Sequence, residues 1–156
     1  MKMKFIPITL LIISLFLITS CTKQQKEIEI YSFSGENDAV IVYNGLIIIT
    51  DDIEKFIGGE LAFKGEEPLD VKHCITKFFF YKDEVETTIL SNSESIEGTT
   101  KGTRISPDMG SISSEDLFYG NDLESIKNSL NFSLNGNLMN GKNFEHNVVL
   151  DVKRAY

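Results

Sequence analysis

Thiol and imidazole chemistry rests on four residues of this 156-residue chain: Cys21, His73, Cys74 and His146. Nucleophilic catalysis needs a nucleophile, a base and a group that orients the base. His73 and Cys74 are adjacent, but neighbours in a strand point to opposite faces, so they do not make a Cys–His pair. Cys74 reads as a small buried side chain. His146 falls at an inward parity and reads as a histidine at the core edge. Paired carboxylates occur at Asp51-Asp52, Glu66-Glu67, Asp83-Glu84 and Glu115-Asp116. Each pair sits at a predicted turn or loop, where carboxylates stay solvated. An acid/base pair needs instead a cleft that raises one pKa. Loop carboxylates and carbonyls can hold calcium weakly, but EF-hand spacing is absent. Gly98-Thr99-Thr100-Lys101-Gly102-Thr103 lacks the order of a phosphate loop and reads as a flexible connection. Phe78 to Tyr81 reads as core rather than as an exposed aromatic platform. No residue is assigned a catalytic or metal-binding role, and no cofactor is expected.

The elements that would position these residues are mostly strands. Ile28 and Ile30 alternate with Glu29 and Tyr31, and Ser34 to Asp38 reads as a turn. Val40-Ile41-Val42-Tyr43, Asn44-Gly45 and Leu46 to Thr50 predict a hairpin, because Asn-Gly suits the two positive-φ positions of a type I′ turn. Asp51 to Phe56 predicts a single helical turn before the Gly58-Gly59 bend. Glu60 to Lys64 is a short strand, and residues 65–70 a charged loop. Val71 to Tyr81 is a long central strand, Lys82 to Val85 its turn, and Thr87 to Leu90 the return. Residues 91–116 read as a long loop with one weak strand near 103–106, a length that suggests function or mobility. Asn121 to Ser129 is the one helix, with Asn121 as N-cap and Glu124 completing a capping box. Leu130, Phe132, Leu134, Gly136 and Leu138 then line one face, with Asn131, Ser133, Asn135 and Asn137 on the other. After an Asn140-Gly141 turn, Phe144, His146, Val148, Leu150 and Val152 form the opposing inner face of a final hairpin. Asn135-Gly136 is a competing turn that would break the alternation.

About seven short strands with frequent turns predict an all-β fold, a single β-sandwich with one short helix spanning residues 28–156. The helical corner followed by a last hairpin resembles immunoglobulin-like domains. That resemblance is architectural and carries no functional residues; the Cys–Trp–Cys pattern is missing and the chain has no Trp. A small closed barrel is the alternative.

The first residues read differently. Lys2 and Lys4 precede an uncharged apolar run from Phe5 to Thr19. Such a stretch is short for a spanning helix, which needs about 20 apolar residues, and fits the charged and apolar regions of a signal peptide. Ile18-Thr19-Ser20-Cys21 resembles the lipobox of bacterial lipoproteins. The resemblance implies recognition of Ile18, Thr19 and Ser20 by a signal peptidase, cleavage before Cys21, and a diacylglycerol thioether on the Cys21 sulfur. Residues 1–20 would be the signal peptide and 21–27 the lipidated cysteine and a polar tether. One acyl chain binds a membrane only marginally, whereas two or three hold it stably. The chain also resembles small lipoproteins of low-GC Gram-positive bacteria.

The formal charge is −8, and removal of Lys2 and Lys4 takes it to −10. An acidic chain without a basic stripe is unsuited to nucleic acid. Lipid on Cys21 leaves Cys74 without a disulfide partner. The sequence therefore predicts a lipid-anchored protein on the extracytoplasmic face of the cell membrane. Its expected role is non-enzymatic binding of a protein or envelope ligand, with loop 91–118 making the contacts. The alternative is a surface hydrolase using loop carboxylates, with or without a metal.

Overall fold

The computed structural model describes residues 28–65, 70–95 and 109–155. The expectations for residues 1–27, the weak strand at 103–106 and Glu66-Glu67 lie outside them. Among the described residues ten strands and one helix follow in chain order. They are β1 (Glu29–Glu36), β2 (Val40–Ile49), β3 (Glu54–Ile57), β4 (Glu60–Phe63), β5 (Val71–Lys82), β6 (Val85–Ser95), β7 (Ser111–Ser114), α1 (Asp122–Ser129), β8 (Asn131–Leu138), β9 (Asn143–Val149) and β10 (Asp151–Arg154). All strand pairs are antiparallel. They form two sheets: β10-β1-β2-β3-β7, with β4 beside the other half of β2, and β6-β5-β8-β9. The fold is the expected all-β sandwich. The order of the four-stranded sheet is that of an immunoglobulin C′CFG sheet, with α1 at the corner leading into β8.

The core lies between the sheets and is ordered by aromatic rings. Phe33 stacks on Phe56 at 5.1 Å, and Phe78 meets Phe33, Phe56 and Phe132 at 5.8, 5.2 and 5.1 Å. Phe33 and Phe56 come from one sheet, Phe78 and Phe132 from the other, so this cluster joins the layers. Ile126 of α1 and Leu130 are fully buried and close one side.

The expected hairpin at Asn44-Gly45 is not there. β2 runs straight through both residues, with only Asn44 at positive φ (57°). Opposite β1 the register shifts between Phe33 and Gly35, so β2 carries one extra residue. Asn44-Gly45 is a β-bulge, not a turn. Its extra residue reverses the parity: Val40 and Val42 face the core before it, Ile47 after it. A Cβ on Gly45 would lie 2.0 Å from the Phe33 ring, and one on Gly59 (φ 79°) would lie 2.3 Å from the Tyr43 carbonyl oxygen. The two glycine-bearing breaks face each other and let the sheet bend there.

Four further expectations are corrected. Glu54 to Ile57 is strand β3, not a helical turn. Thr50 Oγ1 accepts the Ile53 N–H at 3.0 Å and donates to its carbonyl at 2.9 Å, closing a tight turn in which Asp51 and Asp52 are exposed. The loop expected from residue 91 starts later, because β6 continues to Ser95, and β7 restores a strand at Ser111–Ser114. Asn121 makes no side-chain cap; Asp122 Oδ2 instead accepts the Tyr119 N–H at 3.1 Å. The last strand divides at Leu150, whose N–H donates to the Leu130 carbonyl at 2.9 Å before β10 crosses to the other sheet.

Candidate binding face

The outward side of the four-stranded sheet is mostly polar, interrupted by the exposed Ile75 and Val149. Strand register sets its rows. Ser95, His73, Asn137 and Asn143 lie side by side across β6, β5, β8 and β9; Ser93, Ile75, Asn135 and Glu145 form the next row. Ser91, Lys77, Ser133 and Asn147 follow, and then Thr88, Phe79, Asn131 and Val149. The side chains between these positions point into the core, as the burial of Cys74, Thr76, Phe78, Phe132 and Leu134 requires. Five of the chain's eleven asparagines stand on this one face of β8 and β9. Asparagine is depleted in strands, so strand formation alone does not account for them.

Local contacts fix several of these groups. His73 Nδ1 lies 2.9 Å from Ser95 Oγ. Lys77 is bonded to Glu86 at 2.7 Å and sits over the Phe79 ring at 4.6 Å. Phe79 is thereby covered on the outer face, with Tyr81 edge-on to it at 5.8 Å and half exposed. The Phe78–Tyr81 run therefore divides: Phe78 and Phe80 enter the core, while Phe79 and Tyr81 face outward. Asn147 Nδ2 donates to Glu145 Oε1 at 2.8 Å.

Two polar atoms in this surface lack a protein partner. Ser133 is 3% exposed, and its Oγ makes no hydrogen bond; Asn137 Oδ1 is likewise buried and unpaired. Leaving such an atom unsatisfied costs about 1–3 kcal/mol. Beside them, Asn135, Gly136, Asn143, Phe144 and Glu145 line a shallow pocket of about 320 Å³. On the core side of the same strands a Cβ on Gly136 would lie 2.4 Å from the Phe144 ring, which packs against the core there.

The outward side of the six-stranded sheet differs. Ile41, Tyr43, Leu46 and Ile48 of β2 run down its middle, flanked by Ile30 and Ile57. A groove of about 520 Å³ opens over the bulge, lined by Ser32, Ser34, Tyr43, Asn44 and Leu46 among others. At its rim Asn44 Nδ2 donates to Glu60 Oε1 at 3.0 Å. Hydrogen bonds from Asn44 and then Tyr43 hold the Glu60 carboxyl below its usual range, and the same contact with Glu60 raises the Tyr43 hydroxyl.

The other sequence candidates are dispersed. Cys74 is buried, and that burial, followed by the Glu94 charge, pushes its thiol up. It faces the core while His73 faces out, as strand parity predicts. His146 is half-buried beside Phe144, ring centres 6.1 Å apart. Asp51-Asp52, Asp83-Glu84 and Glu115-Asp116 occupy three different turns. Among the described residues no group of three His, Cys, Asp or Glu side chains could hold a metal ion, and no helix is long and apolar enough to cross a membrane. The polar face itself was half visible in sequence. The Asn131–Asn137 alternation marked β8, but the serines of β6 were hidden by reading that strand as ending at Leu90. No protein-family model, curated protein or solved structure matches the chain.

Proposed function

We propose that this protein is an extracytoplasmic lipoprotein, held at the cell membrane by acyl chains on Cys21. It works there as a non-enzymatic binding module. The face of the four-stranded sheet makes the contacts, in place of the 91–118 loop. One observation carries the binding assignment: five asparagines and four serines gathered on one face of the sheet, where strand formation does not call for the asparagines. The exposed amides and hydroxyls among them can both donate to and accept from a ligand. The anchor assignment is supported by the lipobox-like Ile18-Thr19-Ser20-Cys21 and the lysine-flanked apolar run before it.

Metabolic labelling with a radioactive palmitate tests the anchor. The wild-type chain should be labelled and sediment with membranes, and Cys21→Ala should be neither. A labelled Cys21→Ala protein would end the anchor reading. Affinity capture from the intact envelope tests the module. Wild type should retain a ligand that Asn135→Ala combined with Asn143→Ala releases. Equal capture by both would remove this face from the function.

A further inference from the structure

We infer that the ligand of this face is a neutral glycan, lying as an extended chain across β5, β8 and β9 with one sugar seated in the Asn135–Asn143 pocket. This rests on the binding face proposed above and names its ligand class. Sugar hydroxyls donate and accept at once, and so does each asparagine amide, through its NH₂ and its carbonyl oxygen. Serine hydroxyls do the same. The four rows span roughly 20 Å along the strands and roughly 14 Å across them, from ordinary strand spacings. A flat strip of that shape suits a string of rings better than one compact metabolite.

The composition argues against the competing ligands. A protein partner is usually gripped by buried aromatic, Met and Arg anchors, and serine is depleted at such interfaces. The rows hold Ser91, Ser93, Ser95 and Ser133 instead and no Trp, Met or Arg; Phe79, in the end row, is only 8% exposed, and the exposed apolar side chains on this side are Ile75, Tyr81 and Val149. A charged ligand would want an unpaired counter-charge. The only Lys or Arg in the rows is Lys77, and it is already bonded to Glu86. The pocket fits a sugar. Its volume of about 320 Å³ is at the low end of the roughly 300–1,000 Å³ of small-ligand sites. It combines two amides and one carboxylate. Ile75, paired with Asn135 in the same outward row and 39% exposed, sets an apolar side chain beside them, and such a mixture suits a sugar, with its C–H bonds and its hydroxyls. Asn135 and Asn143 make no side-chain bond among the described residues, so both amides are free to turn toward a ligand.

The test uses the full chain in a polyoxyethylene detergent, which carries no sugar of its own. The probe is an array of immobilised neutral glucans, mannans, galactans and xylans. The wild-type chain should bind at least one of them. Asn135→Ala with Asn143→Ala should weaken that binding at least tenfold, while Leu46→Ala, on the opposite face, should leave it within twofold. Amide resonances of the wild-type protein provide a readout without variants. Side-chain signals of Asn135, Asn137, Asn143 and Asn147 should shift when an oligosaccharide of the bound polysaccharide is added. Binding to no array member, or binding that survives the double substitution, overturns the glycan assignment. If the array stays empty while envelope capture still depends on Asn135 and Asn143, the face stands and only the ligand class falls. If both measurements ignore the double substitution, the face falls too.

Discussion

The two outward faces of the sandwich are built by the same antiparallel pairing and present opposite chemistry. Down the middle of one run Ile41, Tyr43, Leu46 and Ile48; across the other run Asn131, Asn135, Asn137, Asn143 and Asn147. The apolar column has a local explanation. β-branched and aromatic residues favour a pleated surface, and β2 is the central strand on which β1, β3 and β4 all pair. The polar face has none of that kind, because asparagine weakens strands. It also leaves two buried polar atoms unpaired. A surface that stabilises its own sheet needs no further reason; one that costs the sheet stability points to a use outside the fold.

Substitutions that separate stability from binding test this contrast. The largest effect is expected at the bulge under the apolar column. Gly45→Ala would drive a Cβ to within 2.0 Å of the buried Phe33 ring, and overpacking of this kind should cost about 3 kcal/mol in chemical denaturation. A loss below about 0.5 kcal/mol would mean that Phe33 can move and that the bulge is not fixed by it. Next comes Leu46→Ala on the apolar face, half-buried in this structure, with about 1 kcal/mol lost in the same measurement and ligand capture unchanged. The mirror-image result is expected for Asn135→Ala. Its stability should stay within about 0.5 kcal/mol of wild type, while capture falls. A variant at Asn135 that loses stability and keeps its ligand would collapse the distinction between the faces.

The smallest effect concerns the core both faces share. Burial raises the Cys74 thiol, so the folded chain holds that proton more tightly than the unfolded chain. The stabilising contribution is fully present below the thiol's unfolded pKa and is lost as the pH rises through the raised folded value. Denaturant titrations from about pH 8 to pH 10, around the unperturbed thiol value, should show stability falling, with a shallower fall in Cys74→Ala. Identical slopes would show that the alkaline decline comes from other groups.

How much of this was legible in the sequence depended on what each signal can mean. Alternation in 130–138 and the Asn140-Gly141 turn gave β8 and β9 correctly, since a period of two has one structural reading. The turn at Lys82–Val85 was also placed correctly, although the residues that adopt positive φ there are Asp83 (50°) and Glu84 (66°). Asn44-Gly45 misled for the opposite reason. A left-handed residue followed by glycine serves a bulge as readily as a type I′ turn, and only the facing Gly58-Gly59 in the third dimension separates the two. Glu54 was assigned to a helical turn because its role lies far along the chain: its Oε2 accepts the Leu117 and Phe118 N–H groups, each at 2.7 Å. The polar face was only partly readable because it is assembled from β6, β5, β8 and β9, whose order no local pattern encodes.

Photo-crosslinking in living cells tests the central claim most directly. A benzophenone amino acid placed at position 93, exposed and in the same row as Asn135, or at position 48 inserts into any nearby C–H bond, whether the partner is glycan or protein. The account predicts a discrete adduct from position 93, none from position 48, and loss of the first when Asn135 and Asn143 are also changed to Ala. An adduct from position 48 alone would contradict it, and would place the working surface on the apolar column of the other sheet.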